Sequence, residues 1–204
     1  MGYDEKLIKK LEDKAQKLRR DVVISIGVGV AGHIGGSNSS ADIVAALYFH
    51  KMRHDPKHPE WRERDRFLLS KGHVGILQYA ALAESGYFPV EDLKHTKEIG
   101  SYLQGHPDVQ KTPGIEAGTG SLGQGLSAGI GMALAARVDK KDYRTYVILG
   151  DGEIEEGQVW EAAMFAGNHG LDHLIAIVDY NKLQVDGSLE EVNSPCPIAD
   201  KFEA

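Results

Sequence analysis

Two apolar runs frame the second half of the chain. Tyr146-Val147-Ile148-Leu149 breaks at Gly150-Asp151-Gly152, and Leu174-Ile175-Ala176-Ile177-Val178 breaks at Asp179-Tyr180-Asn181. Between them Trp160, Ala162, Ala163, Met164, Phe165 and Ala166 read as helix. Short apolar runs bounded by turn residues are strands, and strand–helix–strand is a right-handed crossover between parallel strands. Asp151 and Asn181 then stand just past the carboxyl ends of two parallel strands, the edge at which open α/β sheets take ligands.

The rest of the chain fits the same architecture. Residues 4–28 carry Leu7, Leu11, Ala15, Leu18 and Val22 on one stripe with charges opposite, which predicts an amphipathic surface helix. A helix holding Ile43, Val44, Leu47 and Tyr48 is expected to begin at a Ser39 or Ser40 cap. Residues 54–64, with Pro56 and Pro59, read as loop, and residues 66–70 as a strand ending at Lys71-Gly72-His73. A helix over 74–85 stops at Gly86, a short helix covers 89–99, and a loop runs from 105 to about 118. Residues 127–138 form a helix of small side chains suited to close packing. The expectation is one α/β domain over residues 1–204, a parallel sheet flanked by helices on both faces.

Composition narrows the partners. A formal charge of −7 argues against nucleic acid as the main partner. No secretory signal is expected from the charged amino end, and residues 22–32 are too short and glycine-rich to span a bilayer. A single cysteine, Cys196 between two prolines, fits a reducing compartment and reads as structural, so a cytoplasmic protein is expected.

Candidate chemistry sits at the breaks. Asp151 and Asn181 offer oxygen, which magnesium prefers, and magnesium usually takes one or two side chains, water and ligand phosphates. Gly150 and Gly152 allow a sharp bend close to a diphosphate. Three Gly-His pairs, at His33, His73 and His106, each open a loop, where nine histidines and 24 glycines would give about one by chance. Glu153, Glu155, Glu156 and Glu161 read as the solvated start of a helix.

Gly150-Asp151-Gly152, followed after a helix by Asn181, resembles the cofactor motif of thiamine diphosphate-dependent enzymes. The string from Gly150 to Ala162, Gly-Asp-Gly-Glu-Ile-Glu-Glu-Gly-Gln-Val-Trp-Glu-Ala, is similar to transketolase, in particular the amino-terminal subunit of two-chain transketolases. Ser121 stands where many one-chain transketolases have proline, which fits the two-chain form.

The resemblance implies a thiamine-diphosphate-binding fold, thiamine diphosphate and Mg2+ (or Ca2+ or Mn2+) as cofactors, and transfer of a two-carbon ketol unit between sugar phosphates. By that resemblance the metal ligands are Asp151, Asn181 and the Leu183 carbonyl. His73, Gly120, Leu122, Gly152, Glu153 and Asn181 bind the cofactor. His33 and His106 move protons with sugar hydroxyls, and Glu156, with a weaker part for Glu161, joins a proton network at the subunit contact. A carboxyl-terminal subunit would supply the pyrimidine domain and the activating glutamate, and the two would assemble as a heterotetramer. This chain is expected to lack the carboxyl-terminal part of full amino-terminal subunits. Deoxyxylulose-phosphate synthase, and a non-catalytic cofactor-binding assembly subunit, are the alternatives.

Overall fold

In the computed structural model, which describes residues 4–27 and 31–204, the amino-terminal stripe is a helix, α1 (Glu5–Ile26). Asp4 caps it, its carboxylate accepting from the N–H groups of Lys6 and Leu7, and Gly27 ends it at φ 61°. Ala15, Leu18, Val22 and Ile26 bury the stripe, while Leu7 and Leu11 are half-covered. Val28, expected to close this helix, lies outside the described residues.

The described chain divides into two units that interleave in sequence. Unit one takes the residues up to Asp65 and Gly72–Gly118; unit two takes Arg66–Lys71 and Thr119–Ala204. Unit one packs α1 on α2 (Ile34–Ser39), α3 (Ala41–Ala46) and α4 (Gly75–Ser85). Ser40 takes the N-cap position of α3, as expected, but makes no side-chain capping hydrogen bond there. The chain is already helical from Ile34, and Ser39 Oγ donates back to the Gly36 carbonyl at 3.0 Å. On α4 the Glu84 carboxylate meets Lys14 at 3.3 Å and Lys17 at 2.7 Å, fixing α1 along it.

Unit two is built on a three-stranded parallel sheet ordered β1 (Arg66–Leu69), β2 (Thr145–Gly150), β3 (Leu174–Asp179), with α5 (Gln124–Val138) before β2 and α6 (Gly157–Asn168) between β2 and β3. The crossover expected from the apolar runs is therefore present. Every residue of β2 is buried, so both faces of the central strand are covered. A hairpin that the hydrophobic pattern did not show follows, β4 (Leu183–Gln184) with β5 (Gly187–Ser188), then α7 (Leu189–Val192) and α8 (Ile198–Glu203). Its turn holds Val185 at φ 52°, a conformation that a β-branched side chain disfavours.

The small-residue helix packs as its composition suggested. A Cβ added at Gly129 would lie 2.7 Å from Val147 Cγ2, and one added at Gly125 would lie 2.5 Å from Ser70 Cβ. In the same helix Gly131 faces open space. Gly125→Ala should therefore lower stability by about 1–3 kcal/mol through overpacking. Gly131→Ala should leave it unchanged or raise it by up to about 1 kcal/mol. Urea denaturation of the two variants beside the parent checks the contrast.

Candidate functional site at the carboxyl edge of the sheet

Strand register sets the geometry of unit two. Gly150 pairs with Asp179, the last residues of β2 and β3, so both strands stop at the same level. Asp151 is one residue beyond that pair and Asn181 two. The Asp151 carboxylate, 2% exposed, accepts from Gly152 N–H at 3.0 Å and from Lys182 N–H at 2.7 Å. Asn181 Oδ1 accepts from Leu183 N–H at 2.8 Å, an Asx turn with Lys182 at φ 65°. The carboxylate thus sits on the Asn181–Leu183 turn. Leu183 holds its side chain outward, 65% exposed. A Cβ at Gly152 would lie 2.9 Å from Gln184, so the glycine lets the hairpin close on the Asp151 turn.

Glu153 is no solvated helix-start acid. It is 3% exposed, and its carboxylate accepts from Gly150 N–H at 2.9 Å, from Gly123 N–H at 3.0 Å and from the Ser70 hydroxyl. One buried carboxylate thereby joins the ends of β1 and β2 to the turn before α5. The error has a physical origin: an acid at a helix start is usually solvated, but here the short 3-10 turn Glu153–Glu155 folds back under the strand ends. Glu156 and Glu161 are exposed, and Glu156 Cβ lies against Gly123, where an added Cβ would be 2.9 Å away.

Two charged residues at this edge escaped sequence reasoning. Lys71 Nζ contacts Asp179 Oδ2 at 2.5 Å, both side chains buried. The lysine follows β1 and reaches the end of β3 across the central strand, passing Gly150, where an added Cβ would be 3.5 Å from Lys71 Cδ. The signal was present in the sequence: a lysine one residue after an apolar strand, and an acid ending another.

Gly120 adopts φ 141°, a conformation side chains rarely take, and Leu122 is 38% exposed on the same loop. Beside them Thr119 Oγ1 is buried with no hydrogen-bond partner among the described residues. An exposed leucine, a bare backbone and a spare hydroxyl suit the flat ring of a cofactor.

In unit one the three Gly-His loops converge. The His33 and His73 rings meet edge to face, centroids 4.8 Å apart. A Cβ at Gly36 would lie 3.7 Å from His73 Nε2, and one at Gly75 would lie 2.8 Å from Pro107, the neighbour of His106. His106 itself is exposed. Cys196, read as structural, is exposed, and its thiol lies 3.2 Å from the Tyr180 hydroxyl, whose hydrogen bond holds it below the ordinary thiol range.

Fold and edge together define an α/β ligand-binding domain with oxygen donors at its strand ends. Residues 10–204 match the family described as transketolase, thiamine diphosphate binding domain, and the chain belongs to that family of thiamine diphosphate-dependent transferases. It is 52% identical to a 6-deoxy-6-sulfo-D-fructose transketolase subunit of Clostridium sp. strain MSTE9, over 95% of this chain and 70% of that protein. It is 45% identical to an apulose-4-phosphate transketolase subunit of Phocaeicola vulgatus, over 97% of this chain and 70% of that one. Among solved structures, the Campylobacter jejuni transketolase matches with a TM-score of 0.89 and 33% identity, over 100% of this chain and 32% of that chain. The Pichia stipitis transketolase in complex with sedoheptulose-7-phosphate matches with 0.88 and 38%, over 95% and 30%. The chain therefore spans less than a third of these solved transketolases. Among the described residues no helix is long and apolar enough to cross a membrane.

Glu153→Gln places an amide donor where the carboxylate accepts from two backbone N–H groups and a hydroxyl. It should cost about 1–3 kcal/mol of stability. Glu156→Gln, on the surface, should stay within about 0.5 kcal/mol of the parent. Chemical denaturation of both variants checks this.

Proposed function

We propose that this chain is the diphosphate-binding subunit of a two-chain transketolase that moves a two-carbon ketol unit from a ketose phosphate to an aldose phosphate. The observation that carries the proposal is the Asp151 carboxylate lying on the Asn181–Leu183 turn, beyond two strands that end in register. The donor set fits a magnesium ion with a diphosphate: one carboxylate, one amide oxygen and one backbone carbonyl are hard oxygen ligands too few to cage the ion alone.

When bound, the thiazolium ring of thiamine diphosphate supplies the nucleophilic carbon for breaking and remaking the bond beside a ketose carbonyl. The chain's own residues hold and orient. Asp151, Asn181 and the Leu183 carbonyl take the cation. Gly120, Leu122 and Gly152 give close backbone approach to the cofactor, and Glu153 fixes the loop that carries them. His73 serves the diphosphate, and His33 and His106 exchange protons with sugar hydroxyls.

The relatives named as subunits support a partner for this chain too. Met164 and Phe165 on α6 are 68% and 40% exposed on the helix that also carries exposed Glu161, an apolar surface that suits a subunit contact. The partner would bring the pyrimidine domain and the activating glutamate, in a heterotetramer, and Glu156 would join the proton network at that contact. A cytoplasmic enzyme of pentose phosphate chemistry is the setting that follows.

Protein isolated through a tag on this chain, with its co-purifying subunit, should bind thiamine diphosphate with magnesium in a calorimetric titration. Asp151→Ala should weaken that binding by at least about 100-fold, and His95→Ala, at an exposed position given no part in the site, should not. Unchanged binding in the Asp151 variant contradicts the assignment. The same preparation should transfer ketol units between sugar phosphates and should not condense pyruvate with an aldehyde phosphate.

A further inference from the structure

Two of the imidazoles in unit one are supported very differently. His73 is half-buried in the short 3-10 turn Gly72–Val74, between two buried neighbours. His33 stands exposed at the start of α2. Its main chain is fixed: the His33 carbonyl accepts from Ser37 N–H at 3.1 Å and from the buried Ser37 hydroxyl at 2.7 Å. Its ring has less to rest on. Among the described residues the His33 imidazole makes no hydrogen bond and no ion pair, and the one ring it meets is that of His73, with centroids 4.8 Å apart and planes 68° apart.

A bare backbone position makes that contact possible. A Cβ at Gly36 would lie 2.9 Å from Val74 Cγ1 and 3.7 Å from His73 Nε2, so α2 lies directly on the His73 turn. One residue earlier, a Cβ at Gly35 would meet nothing within 4 Å. The ring contact matters because of what an exposed side chain does without one. An imidazole fixed only through its backbone visits several side-chain rotamers. Proton exchange with a hydroxyl needs a ring nitrogen within hydrogen-bond reach, and a displacement of about 1 Å can cost about 100-fold in rate. An edge-to-face neighbour favours one orientation of the ring over the others.

With the function proposed above, on which this rests, we propose that His73 has a second part besides serving the diphosphate: it is a positioning residue whose ring holds the His33 imidazole in the orientation for proton exchange with the sugar. The two parts use different features of one side chain. A ring nitrogen serves the diphosphate, and the ring as an aromatic surface serves His33. One anchored histidine thereby sets both the cofactor's phosphates and the proton carrier on the sugar side.

The test is steady-state ketol transfer by tagged protein with its co-purifying subunit, at saturating thiamine diphosphate and magnesium, beside calorimetric titration of the cofactor. His73→Asn keeps a hydrogen-bond donor and removes the ring. It should bind the cofactor within about threefold of the parent and lower kcat about fivefold with KM little changed. His73→Phe keeps a ring and removes the nitrogens. It should weaken cofactor binding about tenfold and, once saturated, hold kcat within about twofold of the parent. A double-mutant cycle with His33→Ala separates positioning from general damage. In the His33→Ala background His73→Asn should lower kcat by less than about twofold, because the ring that it positions is gone. A merely structural histidine would lower kcat by the same factor in both backgrounds, and that result overturns the proposal. A parent-like kcat in His73→Asn, or a folded His73→Phe as slow as His73→Asn, overturns it too. Should His73→Phe not fold, the cycle with His73→Asn decides alone. A parent preparation without ketol transfer sinks the proposed function and this inference with it. Unchanged cofactor affinity in His73→Phe removes the diphosphate part of His73 alone, and the cycle still decides the positioning part.

Discussion

The register between β2 and β3 is the constraint on which the rest depends. Because Gly150 pairs with Asp179, the two strands end level, and the residues after them leave the sheet side by side. A shift of one residue would move every side chain of a strand to the other face and separate the Asp151 carboxylate from the Lys182 N–H that it accepts. Register here is held by complete burial of β2, which no slipped pairing could keep on both faces, and by α5, whose Gly125 and Gly129 let it approach the sheet closely. Local geometry at the edge is therefore a consequence of core packing several residues away.

The edge also shows how a fold concentrates negative charge without falling apart. Three buried acids stand within a few residues, and each has its own form of compensation: hydrogen-bond donors for Glu153, a lysine for Asp179, backbone dipoles for Asp151. Neutral donors orient the Glu153 and Asp151 carboxylates without cancelling their charge, and of the two it is Asp151 that lies on the Asn181–Leu183 turn, where a hard cation needs oxygen. Glu153 has a second effect, since its three donors belong to segments far apart in sequence, the ends of two strands and the turn before α5. The loop with Gly120 and Leu122 is thereby fixed to the strand edge that carries Asp151.

Much of this was legible in the sequence, and the misses share a cause. The strand–helix–strand unit was readable because apolar runs broken by Gly-Asp-Gly and Asp-Tyr-Asn have few other physical meanings. The small-residue helix and the amphipathic stripe of α1 were readable for the same reason, since periodicity reports which face is buried. Glu153 and Lys71 were not, because burial of a charge is decided by partners distant in sequence: Ser70 is 83 residues from Glu153, and Asp179 is 108 from Lys71. The start of α2 was missed because Gly35 and Gly36 weaken any helix signal, although the serine hydroxyls turned back on the preceding carbonyls accommodate the helix. The β4–β5 hairpin is two residues per strand, too short to leave a pattern.

The central claim is that Asp151 and Asn181, set beside one another by strand register, hold the ion that anchors the cofactor. Anomalous diffraction from crystals of the chain with its co-purifying subunit, grown with Mn2+ and thiamine diphosphate, tests it directly. The account predicts a single strong manganese peak in coordination contact with the Asp151 carboxylate, the Asn181 side-chain oxygen and the Leu183 carbonyl. Manganese bound elsewhere in a crystal that does contain the cofactor, with Asp151 and Asn181 outside its coordination sphere, would contradict it.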